Sequence, residues 1–157
     1  MQPNIGIKPE NLTGVSHLLN GILADEFLLY TKTRNAHWNV EGPDFHDKHK
    51  FFESQYGQLD EIMDEVAERI RILGHYAPAT LKDFLKLTRL TEQMREKNDS
   101  QGYIRELLAD HETIIIAMRE CIDRFANEFK DAGTSDFITG LMEEHEKMAW
   151  MLRSHLR

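Results

Sequence analysis

The chain has 157 residues, of which 41% are hydrophobic and 29% charged, and its formal net charge is -8 at pH 7. These proportions are ordinary for a globular protein of one domain. The acidic balance argues against bulk electrostatic binding to nucleic acid and favours a surface that attracts cations. The single cysteine, Cys121, excludes an internal disulfide, so we expect a reducing compartment and a buried, inert thiol.

The N-terminal segment has neither the apolar core of a secretory signal nor the Arg-rich pattern of a transit peptide. No apolar run approaches the roughly 20 residues that span a membrane. We therefore expect a cytoplasmic protein, with association with the nucleoid left open. Residues 1–157 are expected to form a single domain in which residues 1–9 are an N-terminal tail.

Apolar residues spaced three and four apart predict long amphipathic helices. The first is expected over about residues 10–36 and the second over about residues 44–73. Asp44 is a suitable residue to cap the start of the second helix, and Gly74 is suited to end it. Both helices are therefore predicted with defined boundaries.

The second half of the chain repeats this pattern. A third helix is predicted over about residues 100–130, and a fourth over about residues 135–156 after a break at Gly133. The connection over residues 74–99 is long enough to hold a short helix at residues 81–87. Four helices with one long crossover between the second and third predict an all-α fold, the ferritin-like four-helix bundle.

Four side chains of types that bind iron or zinc are His37, His49, Asp64 and Glu68. Asp64 and Glu68 are four residues apart, so on a helix they share one face. His49 precedes Asp64 by fifteen residues on the same predicted helix, about 22 Å at roughly 1.5 Å per residue. Either these residues are unrelated, or two chains run antiparallel and each supplies half of a site.

Two stripes run along the second predicted helix when residues are placed about 100° apart around its axis. The apolar stripe comprises Phe52, Leu59, Met63, Val66, Ile70 and Leu73. The neighbouring stripe comprises His49, Glu53, Asp60, Asp64 and Glu68. A solvated face usually mixes both signs of charge, whereas we expect no Lys or Arg in this second stripe. The pattern favours cation binding.

A two-fold axis follows from the positions of these residues. Pairing His49 with Glu68 of a second copy places the crossing point between residues 58 and 59, and pairing Glu53 with Asp64 gives the same point. Gly57 lies beside it, although glycine costs about 1 kcal/mol inside a helix. The sequence therefore predicts a close isologous crossing with two symmetric sites.

Simpler interpretations remain for each residue. Asp64 and Glu68 alone would be ordinary surface acids, and His37 alone would interact with the dipole at the end of its helix. His46 and His49 would suit a local zinc pair in a small hydrolase or transferase. No histidine has Asp or Glu three residues before it, so the Glu-x-x-His pattern of a di-iron centre within one bundle is absent.

Residues 37–74 read HWNVEGPDFHDKHKFFESQYGQLDEIMDEVAERIRILG. This stretch resembles the signature of the Dps family of mini-ferritins, and the resemblance extends along the bundle to Trp150. It implies a hollow dodecamer built from two-fold dimers, with ferroxidase sites at the two-fold interfaces. By motif position each site would take side chains from two chains: His37, His49 and Glu53 from one, and Asp64 and Glu68 from its partner. Many family members have Asp at the Glu53 position.

The resemblance also implies a function: oxidation of Fe(II) by hydrogen peroxide, with two irons at each shared site, and storage of the product as ferric mineral. Acidic residues at the start of the fourth helix, Asp131 and Asp136, are candidates for a channel that admits iron; an ordinary solvated acidic face is the alternative. The chain lacks a Lys-rich tail, so we expect weak or no DNA binding. The alternative function is a nucleoid-associated, DNA-protecting structural protein with little ferroxidase activity.

Overall fold

The structure, a computed structural model, describes residues 3–92 and 94–156. Residues 1, 2, 93 and 157, which include the beginning of the predicted tail, lie outside the described part. The described residues form five α-helices and no strand: α1 (Pro9–Asn39), α2 (Phe45–Ile72), α3 (Leu81–Leu87), α4 (Ser100–Asp123) and α5 (Ala132–Ser154). Helices α1 and α2 pack together, α4 packs on α5, and α3 lies in the crossover against α1. The predicted all-α bundle is confirmed.

Helix α2 turns its predicted apolar stripe into the core. Phe52, Leu59, Val66, Ile70 and Leu73 are all fully buried, and each such side chain contributes about 1.5–3 kcal/mol through burial. The neighbouring polar stripe is left outside the core. None of the described helices is both long and apolar enough to cross a membrane.

The ends of α2 follow the prediction in position. Gly74 has a φ of 86°, in the left-handed region that glycine adopts without strain. Asp44 precedes the first residue of the helix, but its side chain does not cap the helix. Instead the Ser100 hydroxyl donates to Asp44 Oδ2 at 2.6 Å, so this carboxylate joins the start of α2 to the start of α4.

The junction between α4 and α5 corrects one predicted boundary. Helix α4 continues into a π-helical turn, Arg124–Glu128, and the chain breaks at Lys130, whose φ is 59°. Helix α5 begins about one turn before the predicted start, and Gly133 lies in its first turn rather than at a break. The reason is that Asp131 caps the helix by accepting the backbone N–H of Thr134 at 2.9 Å.

One buried carboxylate holds the crossover against α1. Asp25 is fully buried and accepts three hydrogen bonds: from the Thr88 hydroxyl at 2.8 Å, and from the backbone N–H and the Nε of Arg89 at 2.7 Å each. A buried carboxylate needs such partners because its desolvation is otherwise costly. The crossover is thus fixed to the bundle by Asp25.

Replacing Asp25 with Ala should therefore destabilise the fold by about 2–4 kcal/mol, because the backbone N–H and the guanidinium of Arg89 lose their acceptor. Asp25→Asn is the matched control, since its amide oxygen still accepts one of these hydrogen bonds, and it should lose less stability. Guanidinium unfolding followed by circular dichroism at fixed protein concentration measures both variants. Equal stability of Asp25→Ala and wild type would show that the crossover is held by other contacts.

Candidate metal centre

Two histidines from adjacent helices form the most ordered part of the site. The turn between α1 and α2 contains Gly42, whose φ of 126° is one that glycine tolerates, and it brings His37 beside His49. The Nδ1 of His37 donates to the His49 carbonyl at 2.8 Å, and the Nδ1 of His49 donates to the His37 carbonyl at 2.8 Å. The two rings stack with centroids 3.8 Å apart.

This exchange of hydrogen bonds determines which ring nitrogen is available. A carbonyl oxygen only accepts, so each Nδ1 must carry the proton. In the neutral imidazoles of His37 and His49, Nε2 therefore keeps its lone pair. Histidines that bind metals commonly have one ring nitrogen held in this way by a carbonyl or carboxylate. The pair is therefore set up to bind a metal through both Nε2 atoms.

Glu53 lies about one turn after His49 on α2. Lys50 Nζ donates to Glu53 Oε2 at 2.7 Å, and this hydrogen bond is the main reason that the pKa of Glu53 is lowered, with smaller contributions from His37 and His49. The expectation that the polar stripe carries no basic side chain is wrong. Lys50 lies about 100° from His49 around the helix, at the edge of the stripe, so a cation must compete with its ammonium for Glu53.

Asp64 and Glu68 lie further along α2, and both are exposed. Because α2 is one continuous helix, the separation of about 22 Å from His49 to Asp64 applies within the chain. The described residues of this chain contain no group of three or more His, Cys, Asp or Glu side chains placed to hold a metal. The structure thus brings together His37 and His49, while completion of the site by Glu53 and by a partner's Asp64 and Glu68 stays a prediction.

The predicted crossing point lies on an open part of α2. A Cβ added at Gly57 would meet no other atom within 4 Å. Beside it, the Tyr56 ring packs edge-on against His37 with centroids 5.1 Å apart. The Arg34 guanidinium lies 4.4 Å from the Tyr56 ring and 4.9 Å from the Trp38 ring. Trp38 belongs to the predicted signature, whereas the roles of Arg34 and Tyr56 were not predicted; the four-residue spacing from Arg34 to Trp38 was the available signal.

The remaining candidates differ in accessibility. Asp131 is only 2% exposed, and its carboxylate contacts Arg69 Nη2 at 3.3 Å as well as Thr134. Asp136 is exposed on α5. Their assignment to a channel stays a prediction. His46, with a side chain 82% exposed, contacts Asp47 at 3.6 Å, whereas His49 stacks on His37, so the local His46–His49 pair gains no support.

Residues 16–157 match the family described as Ferritin-like domain. DNA protection during starvation protein 2 of Bacillus anthracis is 34% identical, over 90% of this chain and 96% of its own length. The chain belongs to the Dps family of ferritin-like proteins. A low temperature-induced protein of Nostoc is 46% identical over 98% of this chain and 86% of its own length.

A solved Dps structure shows the same fold. The Dps protein of Vibrio cholerae O1 superposes with a TM-score of 0.92 and 29% identity, covering 99% of this chain and 97% of that protein. That protein is described as a member of a broad superfamily of ferritin-like diiron-carboxylate proteins. The resemblance predicted from residues 37–74 is confirmed, and membership in the Dps family supports a role in iron storage and DNA protection.

Proposed function

We propose that the chain is a ferroxidase that oxidises Fe(II) with hydrogen peroxide at sites shared by two copies. The ferric product would be stored as mineral in a hollow dodecamer built from two-fold dimers. The observation that carries this proposal is the reciprocal hydrogen bonding of His37 and His49, which leaves both Nε2 atoms free. Dps membership supports iron as the metal.

The donor set suits iron in both oxidation states. Imidazole nitrogen is a borderline ligand and carboxylate oxygen a hard one, and together they bind iron well. Negative carboxylates stabilise Fe(III) more than Fe(II), so they favour oxidation. Iron is the substrate here, with two Fe(II) ions at each site. Each Fe(II) gives one electron, and one peroxide takes up two electrons and two protons to give two waters, so no hydroxyl radical is released.

Each side chain has a defined part in this proposal. His37 and His49 bind iron through Nε2 and are kept in place by the carbonyl groups that hold Nδ1. Glu53 exchanges its hydrogen bond with Lys50 for iron. Asp64 and Glu68 reach the same site from the partner subunit, because an antiparallel crossing between residues 58 and 59 places them opposite Glu53 and His49.

Iron would reach the interior through acidic channels at the start of α5. Asp136 is exposed there, and Glu143 and Glu144 are exposed further along the same helix. Rings of negative side chains concentrate cations. Asp131 was predicted with Asp136 for this channel, and its buried carboxylate would serve it by fixing the first turn of α5. The proposed location of the assembly is the cytoplasm.

Removing one ligand should slow iron oxidation without removing the fold. For His49→Ala and for Asp64→Ala we expect the peroxide-driven rate to fall by at least about tenfold, since even residues that only support metal ligands have effects of about 10–100-fold. Stopped-flow absorbance after anaerobic mixing of Fe(II) and peroxide measures the rate. Size-exclusion chromatography should show the large oligomer in both variants.

Glu65→Ala is the matched control, because Glu65 is an exposed acid next to Asp64 but lies outside the polar stripe. It should oxidise iron at the wild-type rate. Wild-type rates in His49→Ala and Asp64→Ala would contradict the assignment of the site. Loss of rate in all three variants would point to a general effect of surface charge.

DNA binding should be weak or absent at neutral pH. The chain carries a formal charge of -8, so release of counterions from DNA would supply little affinity. The alternative of a nucleoid-associated structural protein would need a basic surface. A gel-shift assay with plasmid DNA at physiological salt should show free plasmid, and a retarded complex under those conditions would favour the structural alternative.

A further inference from the structure

A second titratable cluster lies in the core of the bundle, apart from the candidate metal centre. It joins Glu26 of α1, His111 of α4 and His145 of α5, and all three side chains are 0% exposed. His111 Nδ1 and His145 Nδ1 are hydrogen-bonded at 2.9 Å, and His145 Nε2 lies 2.8 Å from Glu26 Oε1. The proposed ferroxidase function uses none of these groups.

Within residues 3–92 and 94–156, no further hydrogen bond or ion pair reaches these three side chains. The Glu26–His145 contact is close but not aligned as a hydrogen bond, so both Glu26 oxygens and His145 Nε2 are buried without a hydrogen-bond partner. His111 Nε2 is also buried without a partner. Buried polar groups in this state lower the stability of the fold. The three side chains are therefore held by contacts with one another, and the hydrogen bond between the imidazoles of His111 and His145 is the only one of these contacts with hydrogen-bond geometry.

The described side chains on neighbouring helices provide no other charge to pair with the cluster. The buried residues of α2 include no titratable side chain; they are Phe52, Gln55, Leu59, Ile62, Val66 and Ile70. Asp110, next to His111 in sequence, contacts Lys32 Nζ at 2.6 Å, and Asp25, next to Glu26, is held by Arg89. The charges beside the cluster are already paired, so Glu26 is the group available to balance a charged imidazole.

The hydrogen bond between His111 and His145 limits how many protons the two imidazoles can hold. A hydrogen bond between two Nδ1 atoms needs one nitrogen that carries a proton and one that does not. An imidazolium carries protons on both nitrogens, so at most one of His111 and His145 can be charged while the bond exists. Glu26 can balance that one charge. A second charged imidazole would place two N–H groups face to face and leave one positive charge unbalanced in the core.

We propose that Glu26, His145 and His111 form an acid-sensitive latch that joins α1 to α4 and α5. The latch is closed when the two imidazoles share one proton between their Nδ1 atoms. It opens when acid drives a second proton onto the pair, because the hydrogen bond is lost and like charges repel within the bundle. Opening would loosen the contact of α1 with the other two helices.

The direction in which the opening equilibrium changes with pH follows from the lowered pKa of His111. Burial, and secondly the neighbouring His145, hold the pKa of His111 well below its ordinary value. In the unfolded or opened chain a histidine takes up its proton near pH 6.5. The stabilisation gained by keeping His111 neutral is therefore complete above about pH 6.5 and is lost as the pH falls below it, by up to about tenfold in the opening equilibrium per pH unit.

Hydrogen exchange of the intact oligomer, measured by mass spectrometry at several values between pH 7.5 and pH 5, tests the latch. After correction for intrinsic exchange, opening of segments around Glu26, His111 and His145 should increase about tenfold per pH unit below about pH 6.5 in wild type. His111→Gln should lose most of this increase, because its amide still donates to His145 but does not titrate. His17→Gln, which changes an exposed histidine of α1, should behave as wild type.

Glu26→Gln is a second variant, which allows the same measurement if His111→Gln folds poorly. Glu26→Gln removes the carboxylate that balances the first charge, so opening at each pH below about 6.5 should be greater than in wild type. Unchanged pH dependence in either variant would overturn the proposal. It would also be overturned by Zn²⁺ binding, measured by calorimetry in the His49→Ala/Asp64→Ala background, that disappears when His111→Gln is added, since the cluster would then be a metal site.

Discussion

The reciprocal hydrogen bonds between His37 and His49 are the interaction on which the site depends. Each imidazole donates Nδ1–H to the other residue's carbonyl, so the end of α1 and the start of α2 fix the tautomer and the ring position together. A free histidine would lose rotamer freedom on binding a metal, whereas these two are already ordered. The turn at Gly42 is therefore part of the site, because it sets the distance between the two helices.

Helix α2 serves two purposes through two adjacent faces. Its apolar stripe is buried in the bundle, and its polar stripe is left outside with acids that the chain does not neutralise, apart from Lys50 at the edge. Like-charged side chains on one helix face destabilise it slightly, and Gly57 adds a further cost. Bound iron would offset the first cost because it supplies the opposite charge. A second copy of α2 would offset the second cost by using the close approach that glycine allows.

Much of the fold followed from apolar spacing and from the residues at helix ends. The predicted start of α1 and both ends of α2 agree with the structure, because Gly74 and the core residues act locally, whereas α1 continues past its predicted end at residue 36 to Asn39. The start of α5 was missed because Asp131 caps the helix by a contact that spacing does not show. Lys50 lies at the edge of the polar stripe and was missed, although its angle of about 100° from His49 follows from its position in the sequence. The Glu26 cluster joins three helices distant in sequence, so only the packed bundle reveals it.

Mixed oligomers test the shared site most directly. In oligomers of His49→Ala alone, or of Asp64→Ala alone, every shared site lacks one ligand. In a dimer of one chain of each kind, one site takes both altered residues and the other takes two intact halves. Random assembly of equal amounts should therefore restore about a quarter of the sites and of the peroxide-driven oxidation rate. A rate no higher than that of the two separate variants would contradict a site built from two chains.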